Sequence, residues 1–425
     1  VQIHVVQSGE TVWTISRRYG VSANQIARAN QLPNPNVLVI GQSLVIPTPD
    51  RIHVVQPGES LWVIAQRYGT NVQTIMQENR ITNPSMIDSG QVLRIPQRPK
   101  TNIEVNAYVT TMGEQGRALV RDTGQHLTYV SPFSYQMRPD GSLTPLNDSA
   151  VLEAARAEDV APLMVVTNID GKGAFSSELV HAVLSSPEAR ERLITNILET
   201  LRNKGYRGIN YDLEYVPEID RELYNQLLRR TVERLRPEGY LTSSAVAPKT
   251  RADQEGLLYE AHDYAAHGQI LDFVILMTYE WGWAGGPPLA VSPIYEVRKV
   301  LDYAVTAIPR NKILMSIPLY GRDWTLPFVR GGRPAATLSP QEMISRAIRY
   351  RASIQYDYRA QAPFFHYFDE QRREHEVWFE DARSIQAKFN LVKEYGIRGI
   401  SYWTLGFPFP QNWLLLEDNF RVRKL

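Results

Sequence analysis

The sequence predicts an α/β protein: a (β/α)8 TIM barrel with a small α+β insertion between strands 7 and 8, preceded by two small βααβ units. Three observations predict it. A stretch of 45 residues near the start recurs at an offset of 49. Beyond residue 100, eight β-rich runs alternate with helical stretches. Between the last two of those runs lies a segment too long for a simple connection.

Composition bounds the function before any motif is read. The chain has 425 residues, 46 basic and 45 acidic, a formal net charge of +1 and no cysteine. Near-neutrality argues against binding nucleic acid or a membrane surface through bulk charge. The missing cysteines exclude disulfides, thiolate zinc sites, iron–sulfur clusters and a cysteine nucleophile. They do not assign a compartment. An apolar fraction of 43% is enough for a large core. No apolar run approaches the roughly 18 residues of a membrane span. The opening Val1-Gln2-Ile3-His4-Val5-Val6 lacks the charged and apolar regions of a secretory signal. The histidines show no metal-ligand spacing, and Gly171-Lys172-Gly173 lacks the strand–helix context of a phosphate loop, so no metal or cofactor is expected.

The repeat comes first in the chain. Residues 3–47 align with 52–96, with 21 of 45 positions identical. The shared positions include Gly9/Gly58, Glu10/Glu59, Trp13/Trp62, Tyr19/Tyr68, Gly20/Gly69, Asn30/Asn79 and Asn34/Asn83. Each unit reads strand, helix, helix, strand. Residues 3–6 form a short β-rich run. Thr11 caps a helix whose Val12, Ile15 and Tyr19 share a face, and Gly20 stops it. Residues 22–30 form a second helix with Ile26 inward, and 43–46 return as a strand. Trp13 and Trp62 are expected in the cores of these small units. The expected units are 1–49, 50–98 and 99–425, with a polar linker at 97–100.

The GETVWTIS and GESLWVIA segments, with GQSLVIP and GQVLRIP, make the repeat resemble a pair of LysM domains. The resemblance implies binding of N-acetylglucosamine-containing glycans such as peptidoglycan or chitin. It implies a groove between residues 8–10 and 32–37, and between 57–59 and 81–87. Gly9, Glu10, Leu32, Asn34, Gly58, Glu59, Ile81 and Asn83 would line it. Two weak sites on one chain raise residence on a polymer through effective concentration.

The barrel strands are expected at 103–110, 127–135, 161–167, 208–215, 241–247, 273–279, 313–320 and 399–404. Helical stretches include 188–203, 219–235, 294–307 and 382–395, the first opened by Ser186-Pro187. The insertion spans 325–380. It carries a capping box, Ser339-Pro340-Gln341-Glu342, and strand-like runs at 364–368 and 376–379. An insert there builds one wall of the groove at the C-terminal face, where barrel chemistry gathers.

The fourth strand carries the chemistry. Period-two alternation in GINYDLEY puts Asn210, Asp212 and Glu214 on one face and Ile209, Tyr211 and Leu213 on the other. The polar set would point into the barrel. Two carboxylates there are costly to bury, and neighbouring like charges raise at least one pKa, which is how an acid stays protonated near neutral pH. The alternative is an internal salt-bridge cluster with lysine or arginine from neighbouring strands.

GINYDLEY resembles the active-site strand of family 18 glycoside hydrolases, DxxDxDxE, and the resemblance covers most of 100–425. Asp212 and Glu214 match its third Asp and its Glu. Arg207 and Asn210 stand where the family has its first and second Asp. Met277-Thr278-Tyr279-Glu280 resembles the MxYD segment, with Glu280 for Asp. Tyr320-Gly321-Arg322-Asp323-Trp324 resembles YGRxW, and Tyr402-Trp403 closes strand eight. The resemblance implies a substrate-assisted, retaining mechanism in which the 2-acetamido group attacks the anomeric carbon. Glu214 would be the acid, Asp212 the acetamido partner, Asn210 the residue orienting Asp212, Tyr279 the donor to the acetamido oxygen and Trp403 the stacking plate. Met277, Glu280 and Tyr320 would line the sugar site. Trp281, Trp283 and Trp324 read either as sugar plates or as packing of the insert. Asn168 reads as a substrate contact or a turn residue, and Arg322 as a substrate contact or a partner of Asp323 or another rim carboxylate.

LysM-like units ahead of such a barrel resemble the cortical-fragment-lytic N-acetylglucosaminidases of endospore-forming bacteria. That resemblance implies peptidoglycan fragments as substrate, a role in germination, a spore coat or cortex-surface location and spore coat proteins as partners. A chitinase with LysM anchors and a non-catalytic lectin on the same barrel are the alternatives. Deleting residues 1–97 is expected to lower binding to insoluble wall while turnover of soluble fragments persists; co-sedimentation and product release measure the two.

Overall fold

The computed structural model describes residues 1–48, 51–68, 70–96 and 100–425. Gly69, residues 97–99 of the linker and both boundaries between the expected units lie outside the described residues.

Both repeats fold as strand, helix, helix, strand. In the first, Gln2–Val5 pairs antiparallel with Ser43–Ile46 around helices Val12–Tyr19 and Ala23–Ala29. Thr11 accepts the Thr14 N–H to cap the first helix, and Gly20 ends it in the left-handed region. Ile15, Ile26, Leu44 and Ile46 form the buried core. The second repeat sets Arg51–Val54 against Val92–Ile95, with helices Leu61–Tyr68 and Val72–Asn79. The repeated asparagine has a mechanical role. Asn30 brackets the Val45 main chain with bonds of 2.7 and 2.8 Å, and Asn79 brackets Arg94 with two of 2.6 Å. Trp13 and Trp62 are not core residues: they are 65% and 64% exposed. An eight-residue helix buries one stripe, and Trp13 lies about 100° round from Val12.

Eight strands, β1 (Thr101–Val109), β2 (Tyr129–Pro132), β3 (Ala161–Thr167), β4 (Gly208–Asp212), β5 (Leu241–Val246), β6 (Phe273–Leu276), β7 (Ile313–Pro318) and β8 (Gly399–Leu405), pair in parallel, and β8 returns to β1 to close the barrel. Leucines, valines and isoleucines on their outer faces pack against the helices. Tyr108, Tyr129, Leu163, Val165, Phe273, Ile275 and Leu314 fill the interior. Strand β2 ends at Pro132, and a separate strand, Tyr135–Gln136, pairs with β3. Strands β4 and β6 stop at Asp212 and Leu276, each three residues before the predicted end. Their neighbours offer no further rungs there: the last pairs are Thr167 with Asp212 and Leu276 with Met315. Residues 213–215 and 277–280 therefore lie past the paired rungs and leave the extended path, with Tyr215 and Glu280 at φ of 54° and 71°.

The insertion begins earlier than expected. Gly321–Thr325 is already a strand of its five-stranded sheet, between Ala336–Leu338 and Glu374–Trp378, with Ala362–Phe368 and Gln355–Asp357 beyond. Ser339 and Glu342 form the predicted capping box on helix Pro340–Arg349. Past β8, helix Pro410–Asn419 and strand Phe420–Val422, neither of them predicted, complete the barrel wall.

The first repeat is docked on this body. Val45 joins the main core and Val39 the core of the insert. The Ile354 N–H donates to Ile40 O at 2.8 Å, Arg383 to Gly41 O at 3.1 Å and Gln341 to Asn30 O at 3.0 Å. Gly41 is required, because a Cβ there would lie 1.8 Å from Ile354 O. In the second repeat the matching residues are Asp88, Ser89, Gly90 and Arg94, all exposed. Deleting residues 1–97 thus removes part of the barrel's packing as well as a tether. We expect Val45→Arg, the residue of the second repeat, to destabilise the chain by about 2–3 kcal/mol or more through lost burial. Arg94→Val should be near neutral. Thermal unfolding of both variants measures the difference, and equal melting temperatures would contradict the docking.

Candidate active site

The inner face of β4 presents Asn210 and Asp212 to the barrel axis, with Glu214 just above, while Tyr211 packs outward and shares a hydrogen bond with Thr231. This is the alternation read from GINYDLEY. Asn210 is fully buried. Its Oδ1 accepts the Tyr108 hydroxyl at 2.6 Å, and its Nδ2 donates to Ser243 Oγ at 3.0 Å. Asn210 was expected to orient Asp212, but its amide is committed sideways to β1 and β5 and makes no hydrogen bond to Asp212. Asp212 Oδ1 is buried with no hydrogen-bond partner. Tyr108 and Ser243 were missed. Strand β1 did carry a signal, since Glu104, Asn106 and Tyr108 alternate as inward polar residues with Ile103, Val105 and Ala107.

Among the described residues neither Asp212 nor Glu214 pairs with a lysine or arginine, so the salt-bridge reading of this strand fails. Burial pushes the Asp212 carboxyl up. Glu214 is raised well above the carboxylate range by burial, then by the charges of Asp212 and Glu280. Tyr279, at the mouth of β6, keeps its phenol proton: burial raises it first, and Tyr320, Asp212, Tyr108 and Glu214 add to that. Trp403 is half-buried at the end of β8, with the Tyr108 and Phe133 rings 5.3 and 4.9 Å away. Met277 belongs to the inner core against which Trp403 packs. The strand ends thus bring together a carboxyl raised by burial, an acceptor without a partner among the described residues, a phenol that keeps its proton and the indole of Trp403.

Glu280 accepts from Tyr320 Oη and, at 2.5 Å, from Arg322 Nη2. Arg322 also donates to Thr337, while Asp323 is taken by Arg346, Tyr367 and His375. Arg322 is therefore the partner of a rim carboxylate other than Asp323. Trp324 is not a groove plate. It is buried in the insert, its Nε1 donating to Gly286 O at 2.9 Å, because position 324 belongs to the insert's own sheet. Trp281 is half-buried against the main core. Trp283 is 54% exposed and rests on Gly285 and Gly286, where a Cβ would meet its ring at 2.3 and 2.5 Å. Asn168 is buried, and its amide is spent on the main chain of Glu214 and Ser176 rather than left for a substrate.

In the repeats, Gly9 and Gly58 turn the first loop at φ of 79° and 81°. Asn34 and Asn83 cap their own loops by accepting the N–H two residues on, and Leu32 and Ile81 pack on the small cores. Glu10 and Glu59 point inward. Each accepts from a main-chain N–H and pairs with a histidine, His4 at 2.8 Å and His53 at 2.6 Å, so neither carboxylate is free to line a groove.

A closed barrel with an acidic pair at the end of its fourth strand suits glycoside hydrolysis, and the family match makes this chain a glycoside hydrolase. The chain belongs to the glycosyl hydrolases of family 18, whose model matches residues 105–407, and the LysM domain model matches 4–47 and 53–96. It is 54% identical over 428 residues to a cortical fragment-lytic enzyme of Bacillus subtilis strain 168, covering 100% of this chain and 99% of that one. It is similar to the crystal structure of the spore cortex-lytic enzyme SleL of Bacillus megaterium QM B1551, with a TM-score of 0.90, 45% identity and coverage of 100% and 99%. The corresponding enzyme of Bacillus cereus gives 0.91, 44%, 100% and 98%.

A general acid works while protonated, so activity falls as pH rises through its pKa. Glu280→Gln removes one of the charges that raise Glu214. The basic limb of kcat/KM against pH should move to lower pH. A limb that stays in place would mean that Glu280 does not act on the acid.

Proposed function

We propose that the enzyme hydrolyses N-acetylglucosaminidic bonds in peptidoglycan fragments, with retention and with assistance from the substrate's 2-acetamido group. The observation that carries this reading is the buried, unpartnered Oδ1 of Asp212 close to Glu214, whose carboxyl burial and neighbouring charge raise well above its usual range. A buried acceptor without a partner costs free energy until a donor arrives. The acetamido N–H is that donor. Asp212 takes it and stabilises the oxazolinium-like intermediate, while Tyr279 donates to the acetamido oxygen. Glu214 protonates the glycosidic oxygen and then, as the base, activates water. Trp403 carries the apolar face of the sugar. Asn210, committed beneath, cannot ionise, so Asp212 has no second aspartate below it with which to share a proton.

Two further features extend the reading to the polymer. The units 1–49 and 50–98 bind glycan chains in the loops around Gly9, Leu32 and Asn34, and around Gly58, Ile81 and Asn83. Exposed Trp283 extends the sugar path from the barrel mouth. The relatives named for spore cortex support cortex peptidoglycan as substrate and a place at the cortex surface, and the resemblance in sequence adds the spore coat and its proteins to the proposal.

Mass spectrometry of products from purified cortex fragments, with chitin as the comparison polymer, tests the substrate. Cleavage of chitin alone would make the enzyme a chitinase. Glu214→Gln should lower kcat by about 10²–10⁴-fold with glycan binding retained. Asp212→Asn should cost less, though still orders of magnitude. A glucosaminide with a free amine should stay intact; its rapid cleavage would exclude the acetamido mechanism.

A further inference from the structure

We propose that Asn168 and His262 are positioning residues that hold Glu214 at its working height, replacing with side-chain hydrogen bonds the two strand ladders that end just below it. The proposal rests on the reading of Glu214 as the acid. Strand β4 runs between β3 and β5. Its last rungs are Asp212 with Thr167 on one side and Tyr211 with Ser244 on the other. Leu213 and Glu214 continue past both.

On the β3 side, Asn168 is the first residue beyond the strand. Its Oδ1 accepts the Glu214 N–H at 3.0 Å, and its Nδ2 donates to Glu214 O at 2.7 Å. The remaining Nδ2 hydrogen goes to Ser176 O at 3.1 Å. One amide thus makes both bonds of a ladder rung, and both of its N–H groups are used. On the β5 side, Ala247 is the first residue beyond that strand. Its N–H donates to His262 Nδ1 at 2.8 Å, and His262 Nε2 donates to Leu213 O at 2.8 Å. The ring bridges the end of β5 to the chain just before the acid. An N–H facing Nδ1 places the proton on Nε2 and requires a neutral ring. Burial, chiefly, lowers the imidazole to about 4, with Lys249 adding to it, so the ring stays neutral above that pH. Tyr224 and His267 pack around it, and Lys249 Nζ donates to the His262 carbonyl.

Both side chains are buried, at 0% and 1% exposure, and the hydrogen-bonding groups that face Glu214 and Leu213 are spent on main chain. The acid is therefore suspended from both neighbouring strands, although no strand reaches it. A displacement of about 1 Å at a reacting group costs on the order of 10²-fold in rate.

The test measures kcat, KM, the pH profile and the melting temperature of Asn168→Ala, His262→Leu and His262→Gln, with a soluble N-acetylglucosamine oligomer as substrate. In the first two, kcat should fall by about 10²-fold with KM within about twofold, and the basic limb of the profile should move. His262→Gln keeps a donor and an acceptor and should recover about tenfold or more of the loss in His262→Leu. Folded variants with kcat within about threefold of the parent and an unmoved profile overturn the proposal, as does a loss carried wholly by KM. If Asn168→Ala does not fold, the isosteric Asn168→Asp, which keeps the acceptor and loses both donors, is judged by the same criteria. Failure of the underlying reading looks different: Glu214→Gln would then turn over normally, whatever happens at 168 and 262.

Discussion

The site depends on one constraint: Asp212 and Glu214 are desolvated together without a cation among the described residues to compensate them. A lysine or arginine among them would have lowered both carboxyls and ended the acid's usefulness. Neutral dipoles surround them instead. Tyr108, Asn210 and Ser243 form a hydrogen-bonded layer across the barrel, and the nearby guanidinium of Arg322 is held by Glu280. Burial without pairing costs stability, and the closed barrel bears that cost with its two apolar layers, one inside the strands and one between strands and helices.

The two repeats are equivalent as folds and unequal as parts of the molecule. Strand Ser43–Ile46 is buried on both faces, whereas Val92–Ile95 alternates between exposed and buried. The difference traces to a few positions, chiefly Val39 against Asp88 and Val45 against Arg94. An apolar outer face needs a partner, and the barrel with its insert supplies one. The first repeat therefore belongs mechanically to the catalytic body, and any glycan it holds is held at a set position relative to the groove.

Much of this was legible in the linear chain. Period-two alternation placed Asn210, Asp212 and Glu214 on one face, and the capping signals at Thr11, Gly20 and Ser339 marked the helix ends the structure has. What was not legible has two causes. Trp13 and Trp62 sit off the buried stripe of a short helix, which is a local matter, whereas Trp324 and Asn168, each open between two readings in the sequence, have roles that depend on what lies across a gap in sequence. Trp324 is buried because the insert's sheet starts at Gly321. Asn168 faces main chain because β3 and β4 end together. Glu10 and Glu59 turn inward because a histidine six residues earlier pairs with each.

The sequence by itself determined the barrel, the repeat and the shared face of Asn210, Asp212 and Glu214, because periodicity and motif spacing are local properties of a chain. Only the tertiary structure decided which partner each polar group would take. Tyr108 lies 102 residues from Asn210 and Asn168 lies 46 from Glu214, and each pair meets only because the parallel strands close into a ring. Within that ring Asp212 Oδ1 has no partner among the described residues, and that open hydrogen-bond position is the one the proposed chemistry uses.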